Sequence, residues 1–163
     1  MANIEQPEFF NAAEYFLDRN VRQGRGQKIA IYTEHRDYTY SDLEKMVNKT
    51  ANALREINVR IEDRILLLML DIPQYYALFW GAIKYGAVPI PVNTMLTPQD
   101  YEFYLNDSRA RVLAVSEELI PLIKDIEGDL PYLRAHARRD AALDHGAAAR
   151  AGQGRRCAHD SGW

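Results

Sequence analysis

Apolar positions change their period several times along this chain, and the changes mark its elements. Leu43, Met46, Val47, Thr50, Ala51, Leu54 and Ile57 recur at helical spacing, opposite Lys45, Lys49, Asn52, Arg55 and Glu56. That is an amphipathic helix, and Ser41-Asp42-Leu43-Glu44 before it has the capping-box form, with Ser41 as the expected N-cap. The stretch 64–70 follows with no alternation: Ile65 to Leu70 are all apolar. Such a strand is buried on both faces, as the centre of a helix-covered parallel sheet requires. Asp71 is expected to cap the next helix, with Gln74 at its third position. That helix, 72–85, is apolar nearly all round apart from Gln74 and Lys84. A helix of that kind is buried on most sides, and the rest of the chain looks too small to cover it. The sequence therefore reads as part of a larger domain. Gly81 and Ala82 would permit close approach to the sheet, and Gly86 stops the helix.

The strand 87–92 carries Pro89 and Pro91, two residues apart, so both remove donors from the same side. It can pair on its other side and belongs at an edge or break of the sheet. Thr97 caps a helix reaching about Asn106, with Pro98 at its first position. A strand over 111–115 follows, and Ser116 is expected to cap a short helix over 117–125. Upstream, 11–21 reads as a helix with Asn11 as N-cap, 23–27 as a loop, and 29–32 with 38–40 as a hairpin. The order of elements after residue 64 gives an α/β fold: a parallel sheet with helices packed on it, preceded by a short β-hairpin.

Composition changes this picture at one place. The chain of 163 residues is 47% hydrophobic and 26% charged, ordinary globular material. From Ala135 on, the last 29 residues hold nine Ala, five Arg, four Gly and three His, with only Leu143 and Trp163 as large apolar residues. Residues 1–134 thus form one unit and 135–163 a tail expected to be disordered, since it cannot bury enough apolar surface to offset its ordering entropy. Ala, Arg, Gly, His and Asp dominate when GC-rich DNA is read out of frame, so the expected origin of the tail is a frameshift near 133–135. A basic tail for an acidic surface is the alternative; three Asp dilute its five Arg.

A net charge of −3 gives no reason to expect nucleic acid or an anionic membrane as partner. No apolar run approaches the roughly 18 residues of a membrane span. The start, MANIEQPEFF, has no basic or apolar signal region, and the single cysteine fits a reducing compartment, so a cytoplasmic protein is expected.

Candidate chemistry is sparse. Cys157-Ala158-His159-Asp160 could suggest a metal site, but one cysteine, with His136 and His145 badly spaced, does not supply four ligands. Gly24-Arg25-Gly26 lies before its strand and opens no helix, so it reads as a loop and not a phosphate cradle. Lys28, Lys45, Lys49, Lys84 and Lys124 read as solvated charges, and His35 has no partner for acid–base work. Tyr75, Tyr76, Phe79 and Trp80 could line a pocket, but at helical spacing core packing is the expectation. No catalytic, cofactor-binding or metal-binding residue is assigned.

Several segments resemble adenylate-forming (AMP-binding) acyl-CoA synthetases. Tyr38-Thr39-Tyr40-Ser41-Asp42-Leu43 and the run Gly81 to Asn93, GAIKYGAVPIPVN, resemble the first two core motifs of that superfamily. Asn11 to Arg19, Leu96 to Tyr101 and Asp107 to Arg111 resemble the aryl–CoA ligase branch, of benzoate–CoA ligase type. The resemblance covers residues 11–134 and implies the N-terminal portion of the large domain of such an enzyme. Members join a carboxylate to ATP, releasing pyrophosphate, and the thiol of coenzyme A then displaces AMP from the acyl-adenylate. The cofactors implied are ATP, Mg²⁺ and coenzyme A, and the partner is a small aromatic carboxylic acid. The parts that bind them come later in such chains, so this fragment is expected to be inactive alone and to bind none of them well. The competing reading is a non-catalytic α/β module that associates with another chain, or with itself, through exposed apolar surface.

Overall fold

The computed structural model describes residues 10–124, 126 and 130–138. The chain opens with two π-helical turns, Glu14–Asp18 and Val21–Arg25. Asn11 caps this segment, its Oδ1 accepting from the N–H of Ala13 at 3.0 Å. The expected hairpin forms from β1 (Ile29–Ile31) and β2 (Tyr38–Thr39), paired antiparallel. Helix α1 (Tyr40–Glu56) follows at once and buries Leu43, Val47, Thr50 and Leu54, the apolar face read from the sequence.

The start of α1 is a correction. Its N-cap is Thr39, not Ser41. Thr39 is extended, its Oγ1 accepts from the Asp42 N–H at 3.2 Å, and Asp42 Oδ2 accepts from the Thr39 N–H at 3.1 Å. The Ser41 N–H donates instead to the Gly26 carbonyl at 3.0 Å. Those bonds, the Thr39 backbone N–H first, hold the Asp42 carboxyl below its ordinary value of 3.8. A folded-state value below the unfolded one adds stability above that pH and loses it as pH falls through the folded value. We expect Thr39→Ala to cost about 1 kcal/mol and Ser41→Ala close to nothing in urea unfolding. Asp42→Asn should remove the acid-side part of the dependence.

The main sheet runs in the order β4-β3-β5-β6, all parallel, from β3 (Arg64–Leu68), β4 (Val88–Pro91), β5 (Val112–Val115) and β6 (Ala135–Arg138). Ile65, Leu66, Leu67 and Leu68 are all fully buried. Ile65 and Leu67 face one layer with Leu78 and Ala82 of α2 (Pro73–Tyr85), and Leu66 and Leu68 face the other with Tyr101 and Leu105 of α3 (Pro98–Asp107). β4 is the edge strand its prolines require. The Val88 N–H donates to the Asp63 carbonyl at 2.9 Å and the Val92 N–H to that of Leu67 at 3.2 Å. Pro89 and Pro91 thus fall on the unpaired side.

Three further expectations shift. Asp71 does not cap α2: the N-cap is Ile72, with no side-chain bond, because Pro73 at the first position forces the preceding residue to be extended. Ser116 does stand at the N-cap, ahead of Glu117, and its carbonyl accepts from the Leu119 N–H at 2.9 Å, but its side chain does not cap. It is fully buried, and its Oγ accepts from the Leu70 N–H at 3.0 Å, fastening the loop after β3 to the end of β5. The segment after it is a 3₁₀ turn, Glu117–Leu119, running into the short helix α4 (Ile120–Lys124). Finally, the boundary at 134 moves by four residues. Ala135–Arg138 forms β6, where Ala135 pairs with Val112 and is buried. The free edge of β5 supplies the hydrogen-bonding template, and small or polar composition does not prevent its use. Residues 139–163, on which the rest of the tail reading falls, lie outside the described residues.

Helix α2 has apolar neighbours on two sides, which explains its all-round apolarity. Tyr75 and Phe79 pack toward the main sheet, and Tyr76 and Trp80 toward the cluster formed by α1, Ala30, Ile31 and Leu17. Only Ala77, Leu78, Gly81 and Ala82 of α2 are buried, while Tyr75, Tyr76, Phe79 and Trp80 are half-buried, so the chain covers this helix incompletely, as expected. Gly81 is where the helices touch: a Cβ there would sit 2.8 Å from Thr50 Cβ and Cγ2 on α1. The close approach expected against the sheet is therefore against α1, while Ala82 alone faces the sheet. Gly86, with φ of 98°, ends α2 as expected.

Candidate functional site

The layer outside α2 leaves a cleft of about 630 Å³ between the β1–β2 hairpin, the opening helical turns and α2. Ala30, Ile31 and Tyr32 form its hairpin wall, Tyr76 and Trp80 its helix wall, and Phe16 its rim. The sequence places these segments some 45 residues apart, and no local pattern announces their meeting. A ladder of rings runs to it: Phe10 to Tyr15 at 5.4 Å, Tyr15 to Phe16 at 5.0 Å, and Phe16 to Trp80 at 6.2 Å between centroids. Of the four aromatic residues expected to be core, Tyr75 and Phe79 stack on each other against the sheet side, while Tyr76 and Trp80 line this cleft. Burial pushes the Tyr75 phenol above its ordinary value of 10, with Asp71 and Tyr76 adding to the rise. It therefore stays protonated at neutral pH.

Two polar contacts fix the opening turns to the end of α2. Lys84 Nζ lies 2.7 Å from Asp18 Oδ2, and both side chains are largely buried. Lys84 is thus a partnered group, not the solvated charge expected of it, and the 66-residue separation hid the pair. Asn11 Nδ2 donates to the Lys84 carbonyl at 3.3 Å and to the Ile83 carbonyl at 3.0 Å, which the Gly86 N–H also reaches at 3.1 Å. Lys28, Lys45, Lys49 and Lys124 are exposed, as is His35.

No charged side chain lines the cleft, so it offers nothing to pair with a phosphate or carboxylate. The glycine pair is no cradle. Gly26 is buried against α1, where a side chain would collide with Ser41 Oγ, and Gly24 serves a kinked turn at φ of 76°. Among the described residues no three His, Cys, Asp or Glu side chains converge as metal ligands. The lining of this cleft therefore holds no charged group for a phosphate and no ligand set for Mg²⁺. Cys157 and His159 lie outside the described residues. Among the described residues no helix is long and apolar enough to cross a membrane.

Comparison with known proteins gives this scaffold its relatives. Residues 17–157 match the family described as AMP-binding enzyme. The chain is 44% identical over 131 residues to the benzoate–CoA ligase of Thauera aromatica, covering 80% of this chain and 25% of that one. It is 43% identical over 125 residues to the 4-hydroxybenzoate–CoA/benzoate–CoA ligase of Rhodopseudomonas palustris, covering 77% and 23%. Among solved structures it superposes on the anthranilate–CoA ligase AuaEII, in complex with anthranoyl-AMP, with a TM-score of 0.78 and 37% identity over 85% of this chain and 26% of that one. The chain spans about a quarter of the length of these relatives.

Proposed function

The chain belongs to the AMP-binding enzyme family, and from that premise we propose that it is the opening part of the large domain of an ATP-dependent aryl–CoA ligase acting on a benzoate-type acid. The observation that carries this reading is the 43–44% identity to two benzoate–CoA ligases across nearly all the folded part. The three-layer scaffold supports it by its likeness to a ligase solved with an aryl-adenylate. In this reading the role of these residues is architectural. They build the parallel sheet and its helical layers, on which a nucleotide and acid site supplied by later residues would rest. ATP, Mg²⁺ and coenzyme A belong to that later part, and no step of the reaction is assigned to the residues described. A single cysteine and those co-substrates fit a cytoplasmic protein.

A chimera tests the reading. Residues 11–134 replace the matching stretch of the Thauera aromatica enzyme, and benzoyl-CoA formation is measured. We expect kcat/KM within about tenfold of the parent, because the exchanged part shapes the scaffold and not the reacting groups. The 163-residue chain alone should catalyse no benzoate-dependent exchange of pyrophosphate into ATP. Activity in the isolated chain, or a folded but inactive chimera, would sink the proposal.

A further inference from the structure

Three arginines stand side by side at the amino ends of three neighbouring strands. In the parallel register Ile65 pairs with Val112 and Val112 with Ala135, and the residue before each of these is an arginine: Arg64, Arg111 and Arg134. The Arg111 N–H donates to the Arg64 carbonyl at 2.8 Å and the Arg134 N–H to the Arg111 carbonyl at 2.9 Å, so hydrogen bonds of the backbone hold the row together. Neighbouring strands lie about 4.8 Å apart. Like charges that close on adjacent strands repel and cost stability. Among the described residues one carboxylate lies within ion-pair distance of the row: Asp63 Oδ1, 3.8 Å from Arg111 Nε, too far for a hydrogen bond.

Neutral acceptors hold two of the guanidiniums in place. Arg64 Nε donates to the Ser108 carbonyl at 2.7 Å and its Nη1 to the Glu62 carbonyl at 3.4 Å, and Arg111 Nη1 donates to the Tyr132 carbonyl at 3.4 Å. Carbonyls fix the direction of a guanidinium and leave its charge in place. Arg134 is exposed, and its side chain has no partner among the described residues. Beside the row Arg109 lies over the Tyr132 ring, 5.8 Å from its centroid, and adds a fourth positive charge. Planar guanidinium forks match the oxygens of phosphate groups, and three in a row leave two gaps. A phosphate monoester brings about 1.5–2 negative charges where a carboxylate brings one, so phosphates suit a row this poor in counter-charge. We propose that Arg64, Arg111 and Arg134 form an anion site for a ligand with two adjoining phosphate groups, one seated at each gap. The site stands on this register and not on the ligase reading.

Titration calorimetry of the 163-residue chain with inorganic pyrophosphate, in metal-free buffer at low salt, tests the site. We expect saturable one-to-one binding with Kd below about 1 mM. Arg134→Gln, at an exposed side chain, should weaken it about tenfold, and the control Arg55→Gln, exposed on α1, not at all. Asp63→Asn keeps an acceptor for the Arg60 N–H and removes the competing charge, so it should tighten binding about threefold. Inorganic phosphate fills one gap and should bind about tenfold more weakly than pyrophosphate. ADP identifies the source: binding tighter than that of pyrophosphate points to a nucleotide, and equal or weaker binding to the free diphosphate. Should Arg134→Gln not fold, Arg111→Lys, which keeps the charge and loses the fork, carries the same readout. No saturation up to about 10 mM, or equal losses in Arg134→Gln and Arg55→Gln, would overturn the site. So would an unchanged affinity in Asp63→Asn, or phosphate binding as tightly as pyrophosphate.

Discussion

Gly81→Ala is expected to destabilise the chain by about 2 kcal/mol, against the direction that helix propensity alone dictates. In an exposed helix interior the same change gains up to about 1 kcal/mol, because alanine is the better helix former. Here the added methyl would stand 2.8 Å from two carbons of Thr50 and 3.2 Å from the Val47 carbonyl oxygen. Thr50 Cβ is held by the α1 backbone and cannot swing away as the tip of a flexible side chain could. The helices must separate or bend, and overpacking of that kind costs roughly 1–3 kcal/mol, occasionally more. Thr50 is buried, with its Oγ1 donating to the Met46 carbonyl at 3.0 Å, which pins it further. The decisive measurement is the sign in a second background. On Thr50→Gly, which removes the colliding atoms, Gly81→Ala should become neutral or stabilising in urea unfolding. If it destabilises equally in both backgrounds, the two helices do not meet at this pair.

How far the sequence revealed this arrangement depended on whether a signal was local. The two prolines of β4 placed it at an edge because the rule concerns backbone donors, which no tertiary contact can restore. Thr97-Pro98 gave the cap of α3 for the same reason: Thr97 and Asp100 exchange the reciprocal bonds of a capping box. The same kind of local rule, applied to Ile72-Pro73, starts α2 at Pro73. The start of α1 is different. Thr39 with Asp42 and Ser41 with Glu44 are overlapping boxes of equal local merit. The choice falls to Gly26 and Lys28, whose carbonyls accept from the N–H groups of Ser41 and Tyr40 at 3.0 Å each. The cleft and the Asp18–Lys84 pair were beyond local reading, since both arise where the opening turns fold back on α2. β6 was hidden for another reason: it owes its strand to the edge beside it more than to its own residues. The Arg134 N–H donates to the Arg111 carbonyl at 2.9 Å, and the parallel register with β5 runs on from there.

The unbroken apolar run of β3 carries the largest stake, because it asserts burial on both faces at once. Leu66 and Leu67 are neighbours in sequence, are both fully buried, and belong to different clusters on opposite sides of the sheet. Leu66→Ala and Leu67→Ala are therefore each expected to cost about 3–4 kcal/mol, within the range for leucine truncations that leave a cavity. In a strand with one wet face, one of the two would cost little. The cavities would open in separate layers, Leu66 against Tyr101 and Leu105 and Leu67 against Leu78 and Ala82, sharing only the β3 backbone. Side chains with no common partners combine nearly additively, so the double variant should lose close to the sum of the two. That sum is comparable to the whole stability of a small domain, and the double variant should be unfolded at 25 °C without denaturant. Chemical denaturation of the single variants, with circular dichroism of the double, measures all three. If either single substitution costs under about 1 kcal/mol, β3 is not covered on that face, and the central place of β3 between two helical layers is wrong.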